Sequence, residues 1–366
     1  MPDWTKPMEQ TFEYYTVDPN TLADVKRLDN VKSASFSYDS SAETLGSATI
    51  DVSDPIGEVY VRCYLKTIQN GISEKRPIGT VLVQTSPSSF NGIVKSVSAD
   101  CYTPLIELKE KKPPLGYAIR KGTRIMDAAY DIVSKNVRVP VTKIEPLLVK
   151  DESGNVIEDL SPILHNNFVS NTDETWVRFV TDLIGNADYE FGLTEKGHIL
   201  FKPKQDLESM MPVWTYTDDN SSILLPDITM DNDMYGIPNV VEVMYSYGSD
   251  LKYAKVVNDD PNSPISTVSR GREIVYRDTN INLSGYATDD QVKDYAERLL
   301  KALSTIQYTV SYSHAYCPVR VGDCVRLNYT RAGITNIKAK VVSQSIKCEP
   351  GCPVSEKAVF TTKLWR

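Results

Sequence analysis

The chain has 366 residues, 41% hydrophobic and 24% charged; this is the make-up of a folded globular protein too long for one ordinary core, so two or three domains are expected. Lys+Arg number 40 against 48 Asp+Glu, a net charge of −8 with no basic block, which argues against a nucleic-acid binder that must neutralise phosphates. The 6 cysteines are too sparse for a disulfide framework, and neither a secretory signal nor an apolar run of about 18 residues stands in the sequence, so a soluble protein made in the cytosol with no integral membrane segment is expected.

The first hundred or so residues read as strands. "GEVYVRCYLK" (57–66) is rich in β-branched and aromatic residues, and "GTVLVQTS" (79–86) and "GIVKSVSADCYT" (92–103) flank an Asn91-Gly92 hairpin turn. After the charged join "LKEKKPPLG" the period changes. Thr123 is the expected cap of a helix with Ile125, Ala128, Ala129, Ile132 and Val133 on one face. A second helix follows "SNTDE", with Trp176, Phe179, Val180, Leu183 and Ile184 at helical spacing and Gly185-Asn186 past its end. Two short strands follow in 189–203 around Lys196-Gly197. From residue 213 strands return, "PNVVEVMYSY" (238–247) and "REIVYRD" (272–278) being the clearest. One helix, about 289–304, interrupts them; Thr288 and Gln291 form its capping box, and Val292, Tyr295, Ala296, Leu299, Leu300 and Leu303 form its buried stripe. The fold class is thus α+β, mainly β, with an N-terminal β domain (1–110), a small α/β domain (111–215) and a second β domain (216–366). "VYVRCYLKTIQNGISEKRPIGTVLV" and "CVRLNYTRAGITNIKAKVV" share a strand, glycine turn, strand pattern compatible with two related β domains.

Residues that could carry chemistry are few. His165, His198 and His314 are the only histidines, and no nucleophile elbow or phosphate loop accompanies them. Asp231, Asp233, Gly236 and Glu242 fall at calcium-loop places, but Tyr235 replaces a ligand and Pro238 interrupts the loop, so an acidic turn entering a strand is expected. His314, Cys317, Cys324, Cys348 and Cys352 fit zinc spacing loosely, and a small buried cysteine with a "CEPGC" turn is the plainer reading. The doublets Asp218-Asp219, Asp259-Asp260 and Asp289-Asp290 point their side chains to opposite sides in extended chain, so they make poor acid/base pairs. No catalytic, cofactor-binding or metal-ligating residue is assigned, no cofactor is expected, and the chain does not read as an enzyme.

"WTYTDDNSSILLPDITMDNDMYGIPNVVEV", then "NDDPNSPISTVSRGREIV", a capped helix with "AERLL", and "PVRVGDCVRLNY" resemble, in that order, the tail hub proteins of bacteriophages. Upstream, "RPIGTVLVQTSPSSFNGIVKSVSADCYTPL" and the helix after "RKGTRIMDAAYDIV" are similar to that family too. The resemblance covers most of 57–330. It implies two tube-like β-barrel or sandwich domains per subunit and a homotrimer forming a pseudo-sixfold ring at the virion tail tip or baseplate. It also implies contacts with a tail tube or distal tail protein, a tape measure protein, and a central spike or tail fibre, with DNA passing through without specific binding during genome ejection. In such a hub 258–272 is a proline-stiffened connection, with Asp259 and Asp260 on turn amides and Arg270 and Arg272 paired with carboxylates. Some family members carry a C-terminal cell-wall hydrolase or receptor module, and none is expected fused here. The alternatives are a tail-tip carbohydrate-binding module, against which it stands that the four tryptophans Trp4, Trp176, Trp214 and Trp365 are scattered and that Trp176 lies on a helical face expected to be buried, and a peptidoglycan-degrading tail enzyme.

Overall fold

Along Gly46–Val52 every second residue is buried: Gly46, Ala48, Ile50 and Val52 face inward and Ser47, Thr49 and Asp51 stand between them. That period of two marks a strand with one face on a core. In the computed structural model, which describes residues 2–365 apart from 86, 91, 93–94, 151–155, 248–249 and 280–286, such strands dominate, with 47% strand and 14% helix. The chain is α+β and mainly β. The expected turn residue Asn91 lies outside the described residues.

Contacts divide the chain into two units, residues 1–227 with 312–357 and residues 228–311 with 358–366. This differs from contiguous domains at 1–110, 111–215 and 216–366. One reason is a pairing between opposite ends of the chain. The strand Ile334–Lys347 runs antiparallel to Val31–Asp39, from Ser343 opposite Asp39 to Lys347 opposite Ser35. From Val31–Asp39 the sheet continues through Gly46–Val52, Lys95–Tyr102, Ile72–Thr85, Tyr60–Gln69 and Glu9–Val17 to Asp24–Leu28. The other end of the pairing order is Leu224–Asn232. Among the described residues no sheet closes into a barrel, so the closed tube expected from the sequence is replaced by an open, branched sheet in which Trp214–Thr217 and Ser88–Phe90 are further one-sided strands off the main path.

Tyr60–Gln69 and Ile72–Thr85 form a hairpin through Asn70 and Gly71, both at positive φ (51° and 77°), as a two-residue turn matching the strand twist demands. Gly79 on the second strand is a close approach. A Cβ there would come within 1.9 Å of the Tyr38 hydroxyl and 3.1 Å of Phe36, so the opposing aromatics take the space a side chain would need.

In the first unit Trp176–Gly185 is capped by Thr175, whose side chain accepts from the Arg178 amide, and buries Trp176, Val177, Phe179, Val180, Leu183 and Ile184. Each large apolar side chain so buried contributes about 1.5–3 kcal/mol. Ile125–Asn136 packs in the same core, but Thr123 is not its cap. Arg124 holds that place without a side-chain bond, and the first amide, Ile125 N, donates instead to Pro162 O at 2.9 Å. A neighbouring backbone does the work of a cap. The hairpin Tyr189–Leu193/Ile199–Pro203 pairs as its sequence suggested. The core containing these elements also takes in Val17, Leu22, Tyr60 and Leu82, so residues 111–215 do not have a core to themselves.

In the second unit Val240–Tyr247 lies between antiparallel Asp250–Val257 and parallel Val275–Asp278. The helix Asp289–Leu303 begins with the Thr288/Gln291 capping box and sets Val292, Ala296 and Leu300 into a core with Val241, Val243 and Tyr245.

Candidate functional site

The strongest concentration of polar groups is buried in the first unit around Glu356. Its Oε1 accepts from Gln344 Nε2 at 2.6 Å and faces His314 Nε2 at 3.3 Å; its Oε2 accepts from Tyr312 at 2.8 Å and Tyr216 at 3.1 Å. The ring of His314 has acceptors at both nitrogens, since Nδ1 lies 2.7 Å from Ala315 O. Only the imidazolium donates from both. Burial alone pushes His314 down, but bonding to Cys317 and Glu356 outweighs it and raises the ring to about 10. For Glu356 burial pushes up, and the His314 contact with the Tyr312 and Gln344 bonds brings the carboxyl below its ordinary value. Burial and the Glu356 charge hold the Tyr216 and Tyr312 hydroxyls protonated. Every carboxylate lone pair is engaged, so this is a fixed ion pair rather than a proton shuttle. Arg62, Tyr216, Gln344 and Glu356 were not singled out in the sequence. The one available signal was Arg62, a charge set within the apolar run of a strand.

Two arginines hold the Thr194–Gly197 turn of the small hairpin. Arg62, 2% exposed, donates from Nη2 to Lys196 O at 2.8 Å, from Nε to Thr80 at 2.9 Å, and from Nη1 to Asp24 at 2.8 Å. Arg320 Nε reaches Glu195 Oε1 at 2.7 Å, and Thr80 donates to Glu195 O at 2.9 Å. The pieces are thereby fixed in one arrangement by charge-assisted bonds.

The sequence candidates scatter. His314 Nδ1 and Cys317 Sγ are 3.8 Å apart, but Glu356 and Tyr216 complete that site. Cys348 instead meets Cys63, with the sulfurs 3.6 Å apart, and Cys324 contacts Val325 O. Among the described residues no three His, Cys, Asp or Glu side chains form a metal-holding group. In the calcium-like run Asp233 caps the Tyr235 amide and Glu242 pairs with Arg277 at 2.7 Å. Asp218 accepts from Thr330, Asp219 from Ser221, and Asp289 pairs with Lys252. His165 is exposed and His198 half-buried. A hollow lined by Arg124, Asp127, Ile144, Leu147 and Tyr189 measures about 20 Å³, room for one water.

The run 258–272 is a folded connection. Asn258 and Ser263 are buried and bonded to each other at 3.0 Å, Asp260 accepts from the Asn262 amide, Ser266 caps Thr267–Arg270, and Gly271 closes it at φ 62°. Arg270 does not pair with a carboxylate as expected. Its guanidinium donates to Ile237 O and Met234 O, because the turn 234–237 presents two carbonyls there. The carbonyl of Arg272 accepts from Asn239.

No family model matches the chain, and no curated protein sequence matches it either. Solved structures do match along nearly its whole length. The tail protein from Neisseria meningitidis MC58 covers 96% of this chain and is itself 96% covered, at 12% identity and a TM-score of 0.59. The 43 kDa tail protein of prophage MuSo2 from Shewanella oneidensis gives 96% and 98% at 10% identity and 0.59. The fold is that of phage tail proteins. Prophage tail protein gp18 from Listeria monocytogenes EGD-e matches over 94% of both chains at 12% identity and 0.50. At such identities the tail-protein fold is what is shared, residue roles are not.

Proposed function

We propose that this chain is a structural part of a phage-type tail, the hub ring at its distal end, assembled as a homotrimer. The observation that carries this reading is the tail-protein fold over 96% of the chain. The ring would join a tail tube or distal tail protein, and the tape measure protein, to a central spike or fibre, and the ejected genome would pass through it. Synthesis would be in the host cytoplasm, with the finished chain at the virion tail tip. The packed polar centre around Glu356 is consistent with a part whose task is to hold shape.

The open sheet supports assembly through its ends. An unpaired strand edge is a template for another chain, and a closed ring of copies satisfies it. The two strands that end the main path differ in charge. Asp24–Leu28 carries Lys26 and Arg27 against Asp24, and Leu224–Asn232 carries Asp227 and Asp231 with no base. Pro226, which cannot donate, fits an edge position, and its carbonyl is held by Tyr329 at 3.1 Å. A head-to-tail contact between these ends of successive copies brings opposite charges together.

Light scattering tests the reading: three times the 41.0 kDa chain is expected, and a dimer or tetramer overturns it. With −8 per chain a pore wall rich in Lys and Arg is not expected, so the assembled ring should retain duplex DNA weakly at low salt and not at physiological salt. Tight retention with a steep salt slope would refute the conduit. A carbohydrate-binding surface would need exposed aromatic rings, and Trp4 and Trp176 are buried, Trp4 edge-on to Tyr316 and Trp176, as its helical face implied, edge-on to Tyr117.

A further inference from the structure

All six cysteines are buried and reduced, and two of them, 285 positions apart in sequence, bring their sulfurs to 3.6 Å. Cys63 sits in the strand Tyr60–Gln69, opposite Tyr14 and Gly79 in the neighbouring strands. Cys348 directly follows Ile334–Lys347, and its amide donates to Ala34 O at 2.8 Å. Each thiol is thus placed by strand pairing rather than by a mobile loop. Burial, and after it the neighbouring Cys63 and Cys348 thiols, push the Tyr14 hydroxyl well above its ordinary value. Cys101, Cys317 and Cys324 meet oxygen or nitrogen acceptors instead of a second thiol.

We propose that Cys63 and Cys348 form a disulfide that staples the hairpin strand Tyr60–Gln69 to the end of Ile334–Lys347 once the chain meets an oxidising thiol pool. A disulfide bond is about 2.05 Å long, so the sulfurs close by about 1.5 Å, within reach of side-chain rotation and slight strand adjustment. With a small-molecule disulfide as oxidant, one thiolate attacks it and releases the first small thiol; the second cysteine then displaces the other. Two S–H bonds are lost and one S–S bond forms, and the two electrons and two protons leave on the two small thiols. Burial holds the Cys63 thiol well above its ordinary value, so thiolate is scarce and closure in the folded state is slow. A reducing cytosol leaves the pair open, and an extracellular particle meets the conditions that close it. The bond closes a loop of 285 positions in a chain of 366, and a longer loop is the arrangement in which a cross-link restricts the unfolded ensemble more.

The test uses the full chain with oxidised glutathione, in one arm folded and incubated at mildly alkaline pH, in the other refolded from denaturant. Thiols are counted in denaturant and the unreduced digest is mapped by mass spectrometry. The expected result is loss of two of the six thiols, a peptide containing Cys63 joined to one containing Cys348, and a melting temperature raised by on the order of 5–10 °C over the reduced protein. Cys63→Ala and Cys348→Ala should each abolish the oxidation-dependent gain, and either variant alone serves if the other does not fold. Six free thiols in both arms, a Cys348–Cys352 link across the adjoining turn, or a Cys63–Cys348 link that leaves or lowers the melting temperature would each overturn the proposal.

Discussion

Two strands of this molecule, Tyr60–Gln69 and Leu224–Asn232, show opposite uses of the same backbone. The first six residues of Tyr60–Gln69 are all buried, including an arginine, whereas Leu224–Asn232 is exposed at seven of its nine positions. A strand paired on both sides must satisfy every polar group it buries, and Arg62 does so with Thr80, Asp24 and Lys196 O. A strand at the end of the sheet keeps one row of backbone groups free. Interior changes should therefore break the fold, and edge changes should break only assembly.

The largest effect is expected at the interior ion pair. Glu356→Gln leaves the His314 charge buried without its partner and should cost about 3–5 kcal/mol in chemical denaturation, while the double change His314→Leu/Glu356→Leu should cost less than the single one. A double change as damaging as the single one would mean that packing, not charge, dominates there. The same pair sets a pH dependence. His314 is raised from 6.5 to about 10, so its contribution is complete below about pH 6.5 and is lost as pH rises toward 10. Glu356 is held below its ordinary 4.5, so its contribution is complete above about pH 4.5 and is lost as pH falls through its folded value. Melting temperature should be highest between those limits and decline on the alkaline side, and His314→Leu should flatten that decline. An unchanged alkaline slope in the variant would remove His314 from the account.

Arg62→Met should follow, at about 2–3 kcal/mol, because Asp24 and the Lys196 carbonyl lose a charged donor. Hydrogen exchange of the 194–197 turn should rise in that variant ahead of global unfolding, and a turn that stays protected would argue against the clamp. The smallest effect on stability is expected at the edge. Lys26→Glu should change stability by less than about 0.5 kcal/mol yet weaken the oligomer about tenfold, and Asp227→Lys added to it should restore the mass. Equal oligomer mass in all three proteins would remove these ends from the interface.

Much of the local structure was legible. Trp176–Gly185 and Asp289–Leu303 stand where the 3.6-residue stripe and the Thr288/Gln291 box put them, because periodicity and capping are properties of neighbouring residues. The strand, glycine turn, strand pattern is also seen in both hairpins, Tyr60–Gln69/Ile72–Thr85 and Cys324–Tyr329/Ile334–Lys347. Thr123 misled because Pro162, far along the chain, supplies the acceptor that a cap would have supplied. Arg270 misled because its partners are carbonyls, which no side-chain pattern records.

The sequence by itself determined the fold class of the protein, α+β and mainly β, and the helices Trp176–Gly185 and Asp289–Leu303. The tertiary structure alone decided that Val31–Asp39 pairs with Ile334–Lys347, that the sheet stays open, that Glu356 gathers His314, Tyr216, Tyr312 and Gln344, and that Cys63 faces Cys348. The physical reason is range. Helix stripes, caps and turns are set by residues a few positions apart, while strand partners and buried polar contacts join residues as distant in the chain as Ser35 and Lys347 or Cys63 and Cys348, where register and burial depend on the whole fold.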